Sequence, residues 1–412
     1  MTSSPLPPRA WLVVALLWVV GCLNYLDRVM ITTMRGSIMD AIPMTNAQFG
    51  LLTTVFLFVY GVLSPLGGFL ADRFNRSHVI IVSLFAWSAI TWLTVHSRSF
   101  EQLLVTRALM GISEACYIPA ALALIADYHR ETTRSLANGV HMSGIMIGSG
   151  LGGLGGWLAE KHDWTYAFEV FGIAGIVYAC LLAFFLRDAP ARTVAAGAPE
   201  KVRLGAALAS LFSRRAFSVI LIYWGLLGLA GWAVVGWMPT YLNEHFHLSQ
   251  GEAGLSATGY LQAAALVGVL LGGVLADRWS RRNPRGPVYV TFIGLCLAAP
   301  GILISASVDQ LPLAIGGLML FGLTKTFADT NMMPILSLVS DPRYRATGYG
   351  VLNLFSCSVG GLTIYAGGAL RDAQVDVSRV FQFGAFSILV CAVLLLLVKT
   401  TAAKNRHESP SR

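Results

Sequence analysis

Long apolar runs separated by short polar clusters dominate this 412-residue chain. Each run is continuously apolar rather than alternating, and each lies near the ~20 residues that cross a bilayer as a helix. The pattern predicts twelve spans, at roughly 10–34, 48–71, 79–95, 101–127, 135–159, 164–186, 217–242, 251–276, 287–306, 311–338, 346–370 and 378–398. Backbone groups facing lipid must be satisfied within their own segment or in a closed barrel, and unbroken apolar runs select helices. The expected fold class is all-α integral membrane. Residues 1–186 form one six-helix bundle and 217–412 a second with a short tail, joined by a polar Ala-, Pro- and Arg-rich linker at 187–216.

Composition agrees: 55% of residues are hydrophobic and only 12% charged, where a soluble chain of this size carries about a quarter. The net charge of +8 is explained by its distribution. With both termini in the cytoplasm, 21 of the 29 Lys and Arg fall on inner loops and tails, five on outer loops and three inside spans. That asymmetry fixes the orientation by the positive-inside rule. The basic balance is therefore topology and not a nucleic-acid patch, and a bacterial inner membrane is the expected location. The six cysteines all lie in apolar runs without metal-ligand spacing. No catalytic site, metal or cofactor is expected, and the enzyme motifs GxSxG, HExxH and the P-loop are absent from the sequence.

The two halves repeat. GGFLADRFNR (67–76) returns as GGVLADRWSR (272–281), and Arg134 with Gly139 returns as Arg345 with Gly350. At the latter offset, Gly111–Glu114 falls on Gly322–Lys325. The acidic and basic residues of the repeat, Asp72, Arg73 and Arg76 with Asp277, Arg278 and Arg281, lie at inner helix ends beside Arg134 and Arg345. There they are expected to latch a gate through charge and helix-dipole contacts.

Charges inside spans need a reason, because ionisable groups at membrane depth mark pathways. The first run ends in NYLDR (24–28). By helical rise Asp27 lies about 10 Å below the outer end of its helix, Arg107 about 9 Å and Glu114 about 20 Å below the outer end of the fourth. Arg107, Gly111 and Glu114 share one face by their i, i+4, i+7 spacing. Two cations and two carboxylates thus converge from two helices. Two readings stand: a structural ion-pair cluster, or a site in which arginine grips an anion and a buried carboxyl carries a proton. Helix ten places Lys325, Asp329 and Asn331 in one span, so Lys325 either pairs with Asp329 one turn away or faces Glu114, its repeat equivalent. Asn353 in helix eleven is a further candidate polar contact, or a helix–helix hydrogen bond. His141 reads as a packed polar residue.

These residues carry a resemblance. GGFLADRFNR resembles the loop signature of the major facilitator superfamily, with Asn75 and Ser280 replacing its second glycine. The duplication extends that resemblance over essentially the whole chain, and it implies two pseudo-symmetric six-helix bundles. NYLDR and R-x-x-x-G-x-x-E further resemble the anion:cation symporter branch of that superfamily, which imports sugar acids and other organic anions. That resemblance implies proton coupling through Asp27 and Glu114, and substrate contact through Tyr25, Arg28, Tyr60 and Arg107, with Lys325, Asn331 and Asn353 as further candidates. It departs at Ile145, where a sugar-contacting glutamine of some members would fall, so the identity of the sugar stays open. Expected partners are a small anion, protons (with sodium left open) and the lipid bilayer, for a monomeric carrier. Organic phosphate/phosphate exchange and drug/proton antiport are the alternatives. The first needs no protonatable pair, and the second lacks its helix-five proline, Ser149 standing there instead.

Overall fold

A computed structural model describes residues 9–129, 131–189 and 204–398, and all regular structure in them is helical. Eleven stretches are long and apolar enough to cross a membrane. In chain order the first four are Ala10–Thr33, Asn46–Arg73, Arg76–Leu93 and Phe100–Tyr128, and the sixth is Trp164–Phe185. The seventh to twelfth are Arg215–His245, Gln250–Ser280, Gly286–Ser305, Leu311–Val339, Arg345–Asp372 and Ser378–Leu397. The fifth predicted span is not one of the eleven. It is two helices, Glu131–Leu151 and Leu154–Lys161, with a break at Gly152-Gly153. The predicted linker coincides in part with 190–203, which lie outside the described residues; its remainder includes a short helix, Leu204–Phe212.

The chain divides into two compact units. One gathers Met1–Ala196, Val235–Gln262 and Ile364–Ala373; the other gathers Gly197–Val234, Ala263–Thr363 and Gln374–Arg412. The ends of the seventh, eighth and eleventh spans therefore cluster with the first six.

Within the first unit, the first and fifth spans meet along glycines spaced four apart. A Cβ on Gly144 would lie 2.5 Å from the Trp18 carbonyl oxygen, and one on Gly148 only 2.0 Å from that of Cys22. Small residues at this spacing let two helix backbones approach closely. Gly148→Ala should accordingly force the two helices apart, lowering stability by about 1–3 kcal/mol as overpacking does. Thermal unfolding in detergent measures this, and an unchanged midpoint would mean that the contact is slack. The break beyond these glycines frees backbone groups that lipid could not satisfy. Gly153 N donates to the Thr258 hydroxyl at 3.1 Å, and Gly156 N to the Thr33 hydroxyl at 3.0 Å. Thr258 itself sits in a π-helical turn, Ser256–Tyr260, that interrupts the eighth span.

The fourth span also breaks, between Glu114 and Tyr117. Pro119 has no N–H to offer the carbonyl of Ala115, so the helical ladder lapses there. Gly67 of the second span fits against the gap, where a Cβ would lie 2.3 Å from that carbonyl oxygen.

Candidate functional site

The polar end of the first span is held among the second, third and fourth spans of the same unit. Gly111 sets the approach of the fourth to the second: a Cβ there would stand 2.8 Å from the Phe56 carbonyl oxygen. That close contact carries Arg107 and Glu114, on the same face, up to the rings of Phe56 and Tyr60.

Arg28, 2% exposed, is the centre of the cluster. Its Nη2 donates to Glu114 Oε2 at 2.8 Å and to Asn24 Oδ1 at 3.4 Å. Its guanidinium lies 4.5 Å from the ring centre of Tyr25, 5.0 Å from that of Phe56 and 4.4 Å from that of Tyr60. Three ring faces and one carboxylate thus hold this cation, an arrangement suited to a weakly hydrated planar group. Glu114 is wholly buried.

Arg107 is held differently. It is 1% exposed, and its guanidinium lies 5.0 Å from the ring centre of Phe56. Nη1 donates to Met110 Sδ at 3.0 Å, a weak acceptor, while Nε and Nη2 have no partner. Asp27, also 1% exposed, accepts from the Thr91 hydroxyl through Oδ2 at 3.3 Å, and its Oδ1 has no partner. Burying polar atoms without hydrogen bonds is costly, about 1–3 kcal/mol each and more for charged groups. Together these atoms are hydrogen-bonding capacity that the cluster leaves unused.

The six first-unit residues expected from the sequence, Tyr25, Asp27, Arg28, Tyr60, Arg107 and Glu114, are therefore brought together. Phe56, Thr91 and Asn24 complete the set. Phe56 sits one helical turn before Tyr60, so its place on the same face could have been read from spacing.

In the second unit, Lys325 Nζ donates to both carboxylate oxygens of Asp329, at 2.9 and 2.8 Å. Of the two pairings open to Lys325, the structure has the one on its own helix, while Glu114 is taken by Arg28. A partner at i+4 is reached without any approach between helices. Asn331 is buried and donates to the Phe327 carbonyl at 2.8 Å, satisfying its helix rather than facing a cluster. Asn353 is half-buried, 4.0 Å from Cys357 Sγ one turn on.

At the helix ends that the charge pattern places inside, Arg76 is ion-paired with Asp127 of the fourth span and reaches the Ala123 carbonyl at 3.5 Å. Asp127 carries no expectation from the repeat. The side chain of Asp72 lies outside the described residues. Arg73, Asp277, Arg278, Arg281 and Arg134 are exposed, and Arg345 donates to the Ser337 carbonyl at 3.4 Å. In the adjoining loop Arg343 donates to Asp341 through its side chain and backbone, holding that carboxyl down at about 2. His141 is buried against the Tyr117 hydroxyl at 2.8 Å, as a packed polar residue would be.

Such a cluster, in an all-helical chain of duplicated spans, belongs to a membrane carrier. The sequence profile of the Major Facilitator Superfamily matches residues 17–364, and the chain belongs to that family. It is a secondary transporter. It is 27% identical over 397 residues to an MFS-type efflux pump of Mycolicibacterium smegmatis, covering 95% of this chain and 91% of the pump. It is 28% identical to the probable sulfoacetate transporter SauU of Cupriavidus necator, covering 80% of each. Protein spinster of Drosophila melanogaster is 29% identical over 70% of this chain, which spans only 49% of that protein. Among solved structures, a bacterial homolog of the human lysosomal transporter Spinster, inward-facing and unoccupied, has the same fold. Its TM-score is 0.76 at 22% identity, over 95% of both chains.

Proposed function

We propose that the protein is a proton-coupled carrier of a small organic anion, taken up across the plasma membrane. The observation that carries this reading is Arg107: a buried guanidinium with Nε and Nη2 unpartnered, beside the Arg28–Glu114 ion pair and the half-satisfied Asp27. Arg28 already has a carboxylate, so Arg107 is the cation available to a substrate. Its planar fork suits the two oxygens of a carboxylate or sulfonate. Asp27 and Glu114 are the protonatable groups. The resemblance to the anion:cation symporters favours a sugar acid. The sulfoacetate transporter among the relatives favours a small carboxylate or sulfonate, and a sphingosine-1-phosphate transporter that is 31% identical over 55% of this chain also names an anion.

Uptake into proteoliposomes tests the reading, with a panel of hexuronates, aldonates, sulfoacetate and simple carboxylates under an imposed pH gradient. Accumulation of no anion in the panel would overturn it. Arg107→Lys is expected to weaken binding of the accepted anion by roughly ten- to a hundredfold, although the charge is kept, because one charge-assisted hydrogen bond of about 1.5–3 kcal/mol is lost. Unchanged affinity would reassign Arg107 to a structural role.

A further inference from the structure

Three helix ends and a short helix meet in the first unit, at the end of the protein that the charge pattern places outside. Arg35 begins the short helix Arg35–Ala41, Asn46 begins the second span, Glu244 ends the seventh, and Arg371 with Asp372 ends the eleventh. Arg371 grips Glu244 with a two-pronged fork, Nη1 to Oε2 and Nη2 to Oε1, both at 2.7 Å. Arg35 Nη1 reaches the same carboxylate at 3.4 Å.

Asn46 explains how two guanidiniums stand side by side. Its Nδ2 donates to Asp372 at 2.8 Å, which fixes the amide so that Oδ1 faces the arginines. That oxygen accepts from Arg35 Nε at 3.1 Å and from Arg371 Nε at 3.3 Å. Asp372 is fully engaged elsewhere, accepting from the backbone N–H groups of Asn46 and Ala47 at 2.9 Å each. Glu244 is therefore the carboxylate that both arginines contact directly, while Asp372 and Asp40 act on Arg35 through space.

Exposure separates the partners. The two arginine side chains are recessed, at 16% and 17%, whereas Glu244 is 43% exposed. The cations are built in, and the carboxylate reaches them from the solvent side. Arg35 also borders a small cavity lined by Thr32, Thr33, Pro239, Thr240, Asn243 and Gln250, polar and apolar surface both contributing.

We propose that Arg35 and Arg371 form an outer anion-binding site, occupied in this conformation by the protein's own Glu244. A carboxylate or sulfonate arriving from outside takes the place of Glu244 on the Arg371 fork. The displaced side chain turns to solvent, releasing the end of the seventh span from both arginines. The site recognises the headgroup before the buried cluster does. Its role in transport rests on the anion-carrier reading above.

The test uses full-length protein carrying Thr240→Cys, which places a thiol in that small cavity. Two thiosulfonate reagents of similar size are compared from outside, one bearing a sulfonate and one a trimethylammonium, with the unsubstituted chain as background. Taking their ratio cancels any change in the reactivity of the thiol itself. The sulfonate reagent is expected to react faster, on the order of tenfold, because it can displace Glu244 from the two guanidiniums and the cationic reagent cannot. Glu244→Gln should raise that rate several-fold further by removing the competitor. Arg371→Met should abolish the preference, and Arg35→Met provides the same readout should the first fold poorly. An absent preference, or one unmoved by either arginine substitution, would overturn the proposal. The reagent reports anion attraction whether or not any anion is accumulated, so failure of the transport reading would be seen separately, in the uptake panel.

Discussion

Arg28→Met is expected to lower the stability of the protein by about 3–5 kcal/mol, the range for breaking a buried ion pair by removing one partner. The magnitude follows from what is left behind. Glu114 is wholly buried, Oε2 receives its hydrogen bond from Arg28 at 2.8 Å, and Oε1 has no partner. Without the guanidinium, the carboxylate would lose its closest charge partner and its 2.8 Å donor, keeping only the more distant charge of Arg107 and the amide of Asn24. The aromatic cage adds to the loss, since Tyr25, Phe56 and Tyr60 pack their faces on a cation that would be gone. Replacing both partners, Arg28→Met with Glu114→Leu, should recover much of the deficit, because well-packed apolar residues often match a buried pair. Thermal unfolding in detergent measures all three proteins. A single substitution costing under ~1 kcal/mol, or a double variant no better than Arg28→Met alone, would mean that the pair is not the organising contact of this cluster.

Much of that cluster was legible in the sequence, because membrane depth makes charge conspicuous. Asp27, Arg28, Arg107 and Glu114 stand out in apolar runs, and helical rise puts Asp27 and Arg107 at comparable levels with Glu114 about 10 Å deeper. What spacing could not decide was which cation meets Glu114. Arg107 shares its helix and face, yet it stands two turns away, about 10.5 Å by helical rise, and Arg28 on the first span makes the bond. Lys325 was ambiguous for a related reason: repeat symmetry aligned it with Glu114, whereas local geometry gave it Asp329. The outer clamp was invisible. Arg35, Glu244 and Arg371 lie at separate helix ends more than a hundred residues apart, and the charge count treats the two arginines as topology markers. Gly152-Gly153 lay within a run read as one helix, and the Thr258 and Thr33 hydroxyls on two other spans explain how the break is tolerated.

Asp27→Asn is expected to abolish uphill accumulation of the anion while leaving exchange of internal for external anion intact. The buried cluster holds two arginines and two carboxylates, so with all four ionised it is neutral. An anion arriving at Arg107 would leave it one negative charge in excess, and an uncompensated charge in a low-dielectric interior is penalised by several kcal/mol. Uptake of one proton restores neutrality. Asp27 is the group suited to accept it: Glu114 is committed to Arg28 at 2.8 Å, whereas Asp27 has only the Thr91 hydroxyl and one oxygen without a partner. Anion and proton then load together. The sign follows directly, since binding that takes up a proton tightens as pH falls, by up to tenfold per pH unit while the empty site is ionised and the filled one protonated. Asn removes the exchangeable proton and leaves the empty cluster one charge positive. The variant should bind the anion at least as tightly as the parent at high pH and show a flat pH profile. It should also catalyse exchange without responding to a pH gradient. Binding measured across pH, together with gradient-driven uptake, separates the alternatives. Retained accumulation, or a pH dependence as steep as that of the parent, would move the coupling role away from Asp27 and onto Glu114.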